Sequence, residues 1–421
     1  MTADTKFHPA GFFKRTDCRL CNSKNLVSAF ALQPTPPAND FVAEASLSVD
    51  QQKYPLEVMQ CGSCGHVQLG HVVDPTLLFS NYVYVSGTSK VFVKHFQDMA
   101  HAVTERFAVK STDLVFEIGS NDGTLLKAFK DLGSRVLGVD PAEKIAASAN
   151  AAGTPTIVGF FNQEMARSIS LEQGKARVVL ANNVFAHIDH LDEVVRGISE
   201  ILSDDGVFIF EVSYLDDVLK NTLFDTIYHE HLSYHSLSPL VGFFKRLGFK
   251  LFDAERVDTH GGSIRGYVCR SSHSLAVSQR LNDLLAKEVE SGITKPECLK
   301  NFSYNIEKLG TELRACLHKL KGEGARIAGF GAPAKATTLM YEFGIGKDLV
   351  DYIVDDSPLK QGLFSPGLHI PIYPSTKIYS DKPDILVLLA WNFAGPIVHT
   401  HSRFKEQGGR FVLPVPHVQM M

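Results

Sequence analysis

No stretch of this chain is apolar over the about 20 residues that a bilayer-spanning helix needs. The opening residues, "MTADTKFHPAGFFKRTD", lack the apolar core of a secretory signal. Charge of one sign is also lacking. The formal charge is −4 and no strong block of either sign occurs, so charge gives no support for binding nucleic acid or a membrane surface. Short-period repeats and low-complexity tracts are missing too. These absences predict a soluble cytoplasmic protein. What is present is apolar content of 44% spread over 421 residues, enough for two or three packed domains.

Seven cysteines occur, and four of them fall in two C-x-x-C pairs, Cys18-Arg-Leu-Cys21 and Cys61-Gly-Ser-Cys64. In a chain without a signal peptide this spacing favours a metal over disulfides. Four thiolates suit tetrahedral Zn²⁺, and a site filled by four cysteines is closed and structural rather than catalytic. Gly62 and Gly65 supply turn freedom at the second knuckle. A loop or hairpin can fill the 39 residues between the pairs. The scattered Cys269, Cys298 and Cys316 read as buried apolar residues.

Composition divides the chain further. Between about 85 and 270, short apolar runs such as "STDLVFEIGSNDG", "SRVLGVDP", "ARVVLANNVF" and "DDGVFIFEVS" alternate with helical patterns such as "HLDEVVRGISEIL". That rhythm predicts an α/β fold with a mostly parallel, doubly wound sheet. A hairpin signal follows at "FDAERVDTHGGSIRGYVCR". The expected boundaries are 1–80 for a zinc-binding domain, 81–275 for the central sheet, 276–322 for a helical connector and 323–421 for a smaller Rossmann-like α/β domain.

The loop after the first central strand reads E-I-G-S-N-D-G, with Glu117 two residues before Gly119 and with Asn121, Asp122 and Gly123 completing the turn. A dinucleotide loop would read G-x-G-x-x-G. An acid ahead of the first glycine instead matches the E/D-x-G-x-G-x-G loop of class I S-adenosylmethionine (SAM) methyltransferases. Asn121 replaces the middle glycine, as Asn can in a left-handed conformation. Asp140 ends the next strand 23 residues after Glu117 and suits the two ribose hydroxyls; Asn182 and Asn183 end the third strand signal, at the carboxyl edge where ligands bind.

"TIYHEHLSYHS", residues 226–236, packs three histidines, two tyrosines and a glutamate into eleven residues. Residues alone leave three readings: a metal site, a proton-transfer site, or a polar helix start with Ser236 or Ser238 as cap. His229 alternates with His231, so in an extended segment it points the other way. Further on, "GFGAPAKATT" sets Gly329, Gly331 and Ala334 in G-x-G-x-x-A form, with Asp355 and Asp356 after a later strand. That leaves two other functions open: an NAD-dependent nucleotide-sugar enzyme, or a non-catalytic zinc protein that binds nucleotide sugars.

Taken together, Cys18/Cys21/Cys61/Cys64, "YVYVSGTS", "EIGSNDG", "NNVFAHIDH", "YHEHLSYHS" and "GFGAPAKATT" resemble the sugar C-methyltransferases over nearly the whole chain. The resemblance implies a zinc domain, a central SAM domain and a C-terminal domain that helps to bind a nucleotide sugar, dTDP-linked in the best-known members. It implies methylation beside the keto group of a 4-keto-deoxysugar, at C-3. It assigns the active site to Tyr82, His187, Tyr228, Glu230 and His231, with His231 as the general base. Such chemistry needs a base for the proton beside the carbonyl and donors for the enolate oxygen. The sequence leaves the assembly state at monomer or weak homo-oligomer.

Overall fold

The computed structural model describes residues 11–79, 86–88, 90–259 and 261–421. Its central sheet has seven strands. In chain order they are Leu114–Ile118, Arg135–Asp140, Thr156–Val158, Ala176–Asn182, Leu202–Ser213, Phe249–Val257 and Ser263–Arg270. Across the sheet they run third, second, first, fourth, fifth, seventh, sixth. The Ser263–Arg270 strand pairs antiparallel with both neighbours, and the other pairings are parallel. This is the class I SAM methyltransferase architecture.

Helices cover both faces, so the inner strands need not alternate. Every residue of Leu114–Ile118 is buried, which is why it reads as one continuous apolar run. In the covering helix Leu191–Ile201, Leu191, Val194, Val195, Ile198 and Ile201 are buried at the three- and four-residue spacing of a single helical stripe. The predicted hairpin is present, with Phe249 opposite Arg270 and Val257 opposite Ser263.

The N-terminal segment folds differently from its neighbour. Leu26–Thr35 and Tyr54–Cys61 form the antiparallel hairpin that fills the gap between the cysteine pairs, and Val67–Leu69 adds a third strand. The fourth strand comes from far away. Ser233–Tyr234, inside the histidine-rich stretch, pairs with Val67 and Gln68. The metal-bearing sheet is therefore completed by the segment that carries the candidate catalytic residues.

The connector is two helices, Gln279–Ser291 and Pro296–Gly322. Proline sits in the first turn of the second, where its missing N–H costs nothing. Leu299, Phe302, Ile306, Leu309, Leu313, Leu317 and Leu320 form its buried stripe. Beyond lies a six-stranded sheet ordered Ile372–Tyr373, Ile353–Val354, Ile327–Phe330, Ile385–Leu388, Arg410–Leu413 and Gln419–Met420, parallel except for the last. One apolar cluster runs from Leu56 and Val67 in the N-terminal sheet, through Phe224 and Ile227, to Ile327 and Val387 in the C-terminal sheet.

Two local expectations need correction. Ser236 occupies the N-cap of helix Leu237–Arg246, but its hydroxyl makes no capping bond. Glu288, from the connector, accepts instead from the N–H groups of Leu237 and Ser238, from the Ser238 hydroxyl and from the Tyr214 hydroxyl. A carboxylate with two oxygens outcompetes a single hydroxyl for a helix N-terminus. Of the three scattered cysteines, only Cys269 is fully buried; Cys298 and Cys316 lie on partly exposed helix positions.

Candidate active site

The four N-terminal cysteines converge. Their sulfur atoms all lie within 4.8 Å of one another, with Cys18 Sγ 3.6 Å from Cys64 Sγ and Cys21 Sγ 3.5 Å from Cys61 Sγ. Sulfurs at Zn–S bonds of about 2.3 Å in a tetrahedron stand about 3.8 Å apart, so the cluster fits that ion. Gly65 turns the second knuckle at φ +80°, and a Cβ there would meet Thr294 at 2.5 Å. In the first knuckle the left-handed turn falls to Asn22, at φ +60°. His66 stays out of the cluster: its ring is fully buried, bonded to the Ser233 hydroxyl and stacked on His235.

The donor loop is built as its sequence required. Gly119, Asn121 and Gly123 all have positive φ, at +67°, +49° and +76°. A Cβ on Gly119 would stand 2.3 Å from Val184 Cγ2, and one on Gly123 would stand 2.6 Å from Thr154. Asp140 accepts from the N–H groups of Asn121 and Ala142, each at 2.9 Å, and so fixes the loop against the next strand. Burial raises its carboxyl above the ordinary range despite those bonds. Asn121 Oδ1 and Asp122 Oδ2 accept from the N–H groups of Ser86 and Gly87, and Asp122 Oδ1 accepts from the N–H and hydroxyl of Thr124.

Open bonding capacity remains in the cradle. Glu117 is 3% exposed and its Oε2 has no partner; Asn182 Oδ1 and the Ser120 hydroxyl are likewise unmatched. Burial, helped by the nearby charges of Asp122 and Asp140, pushes the Glu117 carboxyl well above its ordinary range. An acid so placed gains from a cationic or hydroxyl-rich ligand. Asn183, at φ +55°, turns the chain out of the strand beside Asn182. The unmatched acceptors and the glycine cradle fit SAM, which carries a sulfonium, an ammonium and two ribose hydroxyls.

The histidine-rich stretch lies at the same carboxyl edge. The carbonyl of Ala186 accepts from the N–H groups of Leu232 and Ser233, which ties "FAHIDH" to "YHEHLSYHS". His231 sits with its ring centroid 4.1 Å from that of Tyr228 and 4.9 Å from that of His187; Phe79 stacks on His187. His231 Nδ1 donates to the Thr226 carbonyl at 2.7 Å, since a carbonyl can only accept. The proton is thereby fixed on Nδ1, and Nε2 keeps its lone pair. Burial is the main reason this imidazole is lowered to about 4; the Thr226 carbonyl opposes the shift and the Lys335 charge adds to it. Glu230 is buried and accepts from the Asn39 side chain at 2.8 Å, in the "LQPTPPAND" loop. His229 points into the N-terminal sheet, bonded to the Tyr54 carbonyl. Tyr82 lies outside the described residues.

Two features at this edge escaped sequence reasoning. Lys335, in the "GFGAPAKATT" loop, and Asp225, just ahead of the histidine stretch, are both buried beside Trp391. A lone lysine in a glycine loop gives no signal of its own. The chain's one tryptophan was the available hint that something is packed there. In the same C-terminal loop the donors are already engaged. Gly331 N–H bonds the Val354 carbonyl, and Asp355 accepts from Ala332 and Ser357.

Three family profiles match consecutive parts of the chain: a zinc binding domain over residues 18–79, a methyltransferase domain over 92–254 and a C-methyltransferase C-terminal domain over 258–416. The C-methyltransferase NovU of Streptomyces niveus is 35% identical over 405 residues, covering 96% of this chain and 96% of NovU. Among solved structures, the PH0226 protein of Pyrococcus horikoshii OT3 aligns at 16% identity and a TM-score of 0.36, covering 45% of this chain and 95% of its own. Magnesium protoporphyrin IX methyltransferase of Synechocystis PCC 6803 with bound SAM aligns at 14% and 0.33, covering 45% and 86%. Both structural likenesses are loose, whereas the likeness to NovU runs nearly end to end. With its cysteine cluster, its donor loop and that relative, the chain belongs to the family of SAM-dependent, zinc-binding C-methyltransferases.

Proposed function

We propose that this C-methyltransferase acts on a nucleotide-linked 4-keto-deoxysugar of the dTDP type, at C-3 beside the keto group, in the cytoplasm. SAM, when bound, supplies an electrophilic methyl group, which a carbon accepts only after losing a proton beside a carbonyl. Glu117, Gly119, Asn121, Asp122, Gly123, Asp140, Asn182 and Asn183 would hold it. The observation that carries the proposal is the bond from His231 Nδ1 to the Thr226 carbonyl. It presents Nε2 as a neutral base and holds the ring still.

In this reading His231 takes the C-3 proton, and the electron pair moves onto the keto oxygen. Tyr228 and His187, whose rings pack against His231, are the nearest donors for that oxygen. Glu230, anchored by Asn39, contacts the sugar. Tyr82 joins them on the strength of the family resemblance. The C-terminal sheet, at residues 323–421, contributes to holding the nucleotide.

A set of nucleotide 4-keto sugars incubated with SAM, read by mass, tests the substrate. A gain of one methyl, placed at C-3 by NMR of the product, is expected. Methyl gain at C-5, or on an acceptor without a keto group, would overturn the assignment.

A further inference from the structure

Helix Lys90–Arg106 packs across the central sheet, and two of its side chains reach the carboxyl edge. Just ahead of it, the N–H groups of Ser86 and Gly87 are held by Asn121 and Asp122 of the donor loop. The Met99 sulfur meets the Asn182 amide nitrogen at 3.2 Å. His95 Nε2 stands 2.9 and 3.1 Å from the two Glu211 carboxylate oxygens. Positions four apart share a helix face. Their targets are neighbours too: Glu211 lies opposite Asn182 in the paired strands, and its carbonyl accepts from the Asn183 N–H at 2.7 Å. His95 is thereby fastened beside the strand end that closes the donor cradle.

The surroundings of Glu211 fix the state of that imidazole. Glu211 is fully buried, and the Thr259 hydroxyl and the Arg265 guanidinium also donate to it. Burial works against its charge, but the His95 bond and the Arg265 charge prevail and lower the carboxyl to about 2. An ionised carboxylate only accepts, so Nε2 carries the ring proton. Among the described residues, every hydrogen bond of the His95 ring runs through Nε2. Nδ1 keeps its lone pair, on a side chain 16% exposed. Asn182 offers a second open acceptor. Its amide nitrogen is engaged by Met99, whereas its Oδ1 is buried and unmatched.

Sheet order says which part of the donor these acceptors meet. The strand ending in Asp140 lies on one side of Leu114–Ile118; the strands of Asn182 and Glu211 lie on the other. With the ribose at Asp140, the amino-acid end of SAM extends toward Asn182 and Glu211. That end carries an ammonium group, a donor with no acceptor of its own.

We propose that His95 binds the amino-acid end of SAM, its Nδ1 accepting from the ammonium group beside Asn182 Oδ1. Glu211 sets the tautomer and holds the ring. No covalent bond changes and no proton is transferred. The inference rests on the donor cradle, and neither on the identity of the sugar nor on His231 as the base.

The test is calorimetry of full-length, zinc-loaded protein with three nucleosides. S-adenosylhomocysteine carries the whole amino-acid end, its decarboxylated form keeps only the ammonium, and methylthioadenosine has neither group. His95→Leu should weaken the first two by about tenfold, the scale of one hydrogen bond to a charged group, and methylthioadenosine by less than about twofold. His95→Gln, which retains a donor for Glu211, serves where the leucine variant does not fold and should show the same split. Equal weakening of all three would mark His95 as merely structural and overturn the proposal, as would affinities left unchanged. A loss confined to S-adenosylhomocysteine would move the contact to the carboxylate and overturn it too. Wild-type protein that binds none of the three would overturn the donor cradle itself, and the proposal with it.

Discussion

At the scale of single residues, the site depends on a few conformations that the sequence made visible. Asn121 stands where the family loop has glycine, and its φ of +49° confirms the left-handed turn. Asn121→Ala should cost about 1–2 kcal/mol of stability, because a Cβ-bearing residue without a local hydrogen bond pays the full left-handed penalty; Asn121→Gly should cost less. Urea unfolding of the two variants checks this. Asn39 carries a second prediction. Its amide is a partner of the buried Glu230, so Asn39→Ala should leave SAM affinity near the wild-type value while lowering methyl transfer by about tenfold, the scale of one lost bond of about 1.4 kcal/mol to a charged group. Steady-state kinetics beside SAM calorimetry would show the split. Asn39 was not legible beforehand. A residue acquires such a role through distant packing, and no local spacing records it.

At the scale of elements, what was legible followed periodicity. The strands and covering helices of the central sheet bury continuous runs or single stripes, and both patterns survive in sequence. The strand Ser233–Tyr234 did not, because two residues have no periodicity and its partner lies at Val67–Gln68. The cap of helix Leu237–Arg246 was hidden for the same reason. Glu288 comes from another helix and answers four donors at once. Glu288→Ala strands the buried N–H of Leu237, the half-buried N–H of Ser238 and the Tyr214 hydroxyl, and should destabilise the chain by about 2–4 kcal/mol in chemical denaturation. Ser236→Ala, at the apparent cap, should change stability far less. The opposite ordering would restore the serine cap.

At the scale of the whole molecule, the zinc sheet and the histidine-rich candidate site share one strand, Ser233–Tyr234. Arg19 strengthens the tie: it is 1% exposed, donates to the Leu69 and Leu232 carbonyls and pairs with Asp189. Metal analysis should find about one zinc per chain. Stripping it with a chelator should loosen the Ser233–Tyr234 strand and reduce activity. A second expectation concerns acid. His229, His231 and His235 are each lowered by burial to about 4, against an ordinary value near 6.5. Between those values the unfolded chain binds protons at these three sites that the folded chain does not, so their contribution to stability is present above about pH 6.5 and is lost as pH drops toward 4, offset in part by the raised carboxyls of Glu117 and Asp225. Denaturation midpoints across that window measure the effect.

The central claim is that His231 removes the acceptor proton, and solvent-deuterium exchange at the acceptor carbon addresses it without methyl transfer. S-adenosylhomocysteine takes the place of SAM, and uptake of deuterium beside the keto group of the nucleotide sugar is followed by NMR. The wild-type protein should exchange that proton, whereas His231→Asn should not, with donor-site affinity near normal. Exchange that continues unchanged in His231→Asn would contradict the account.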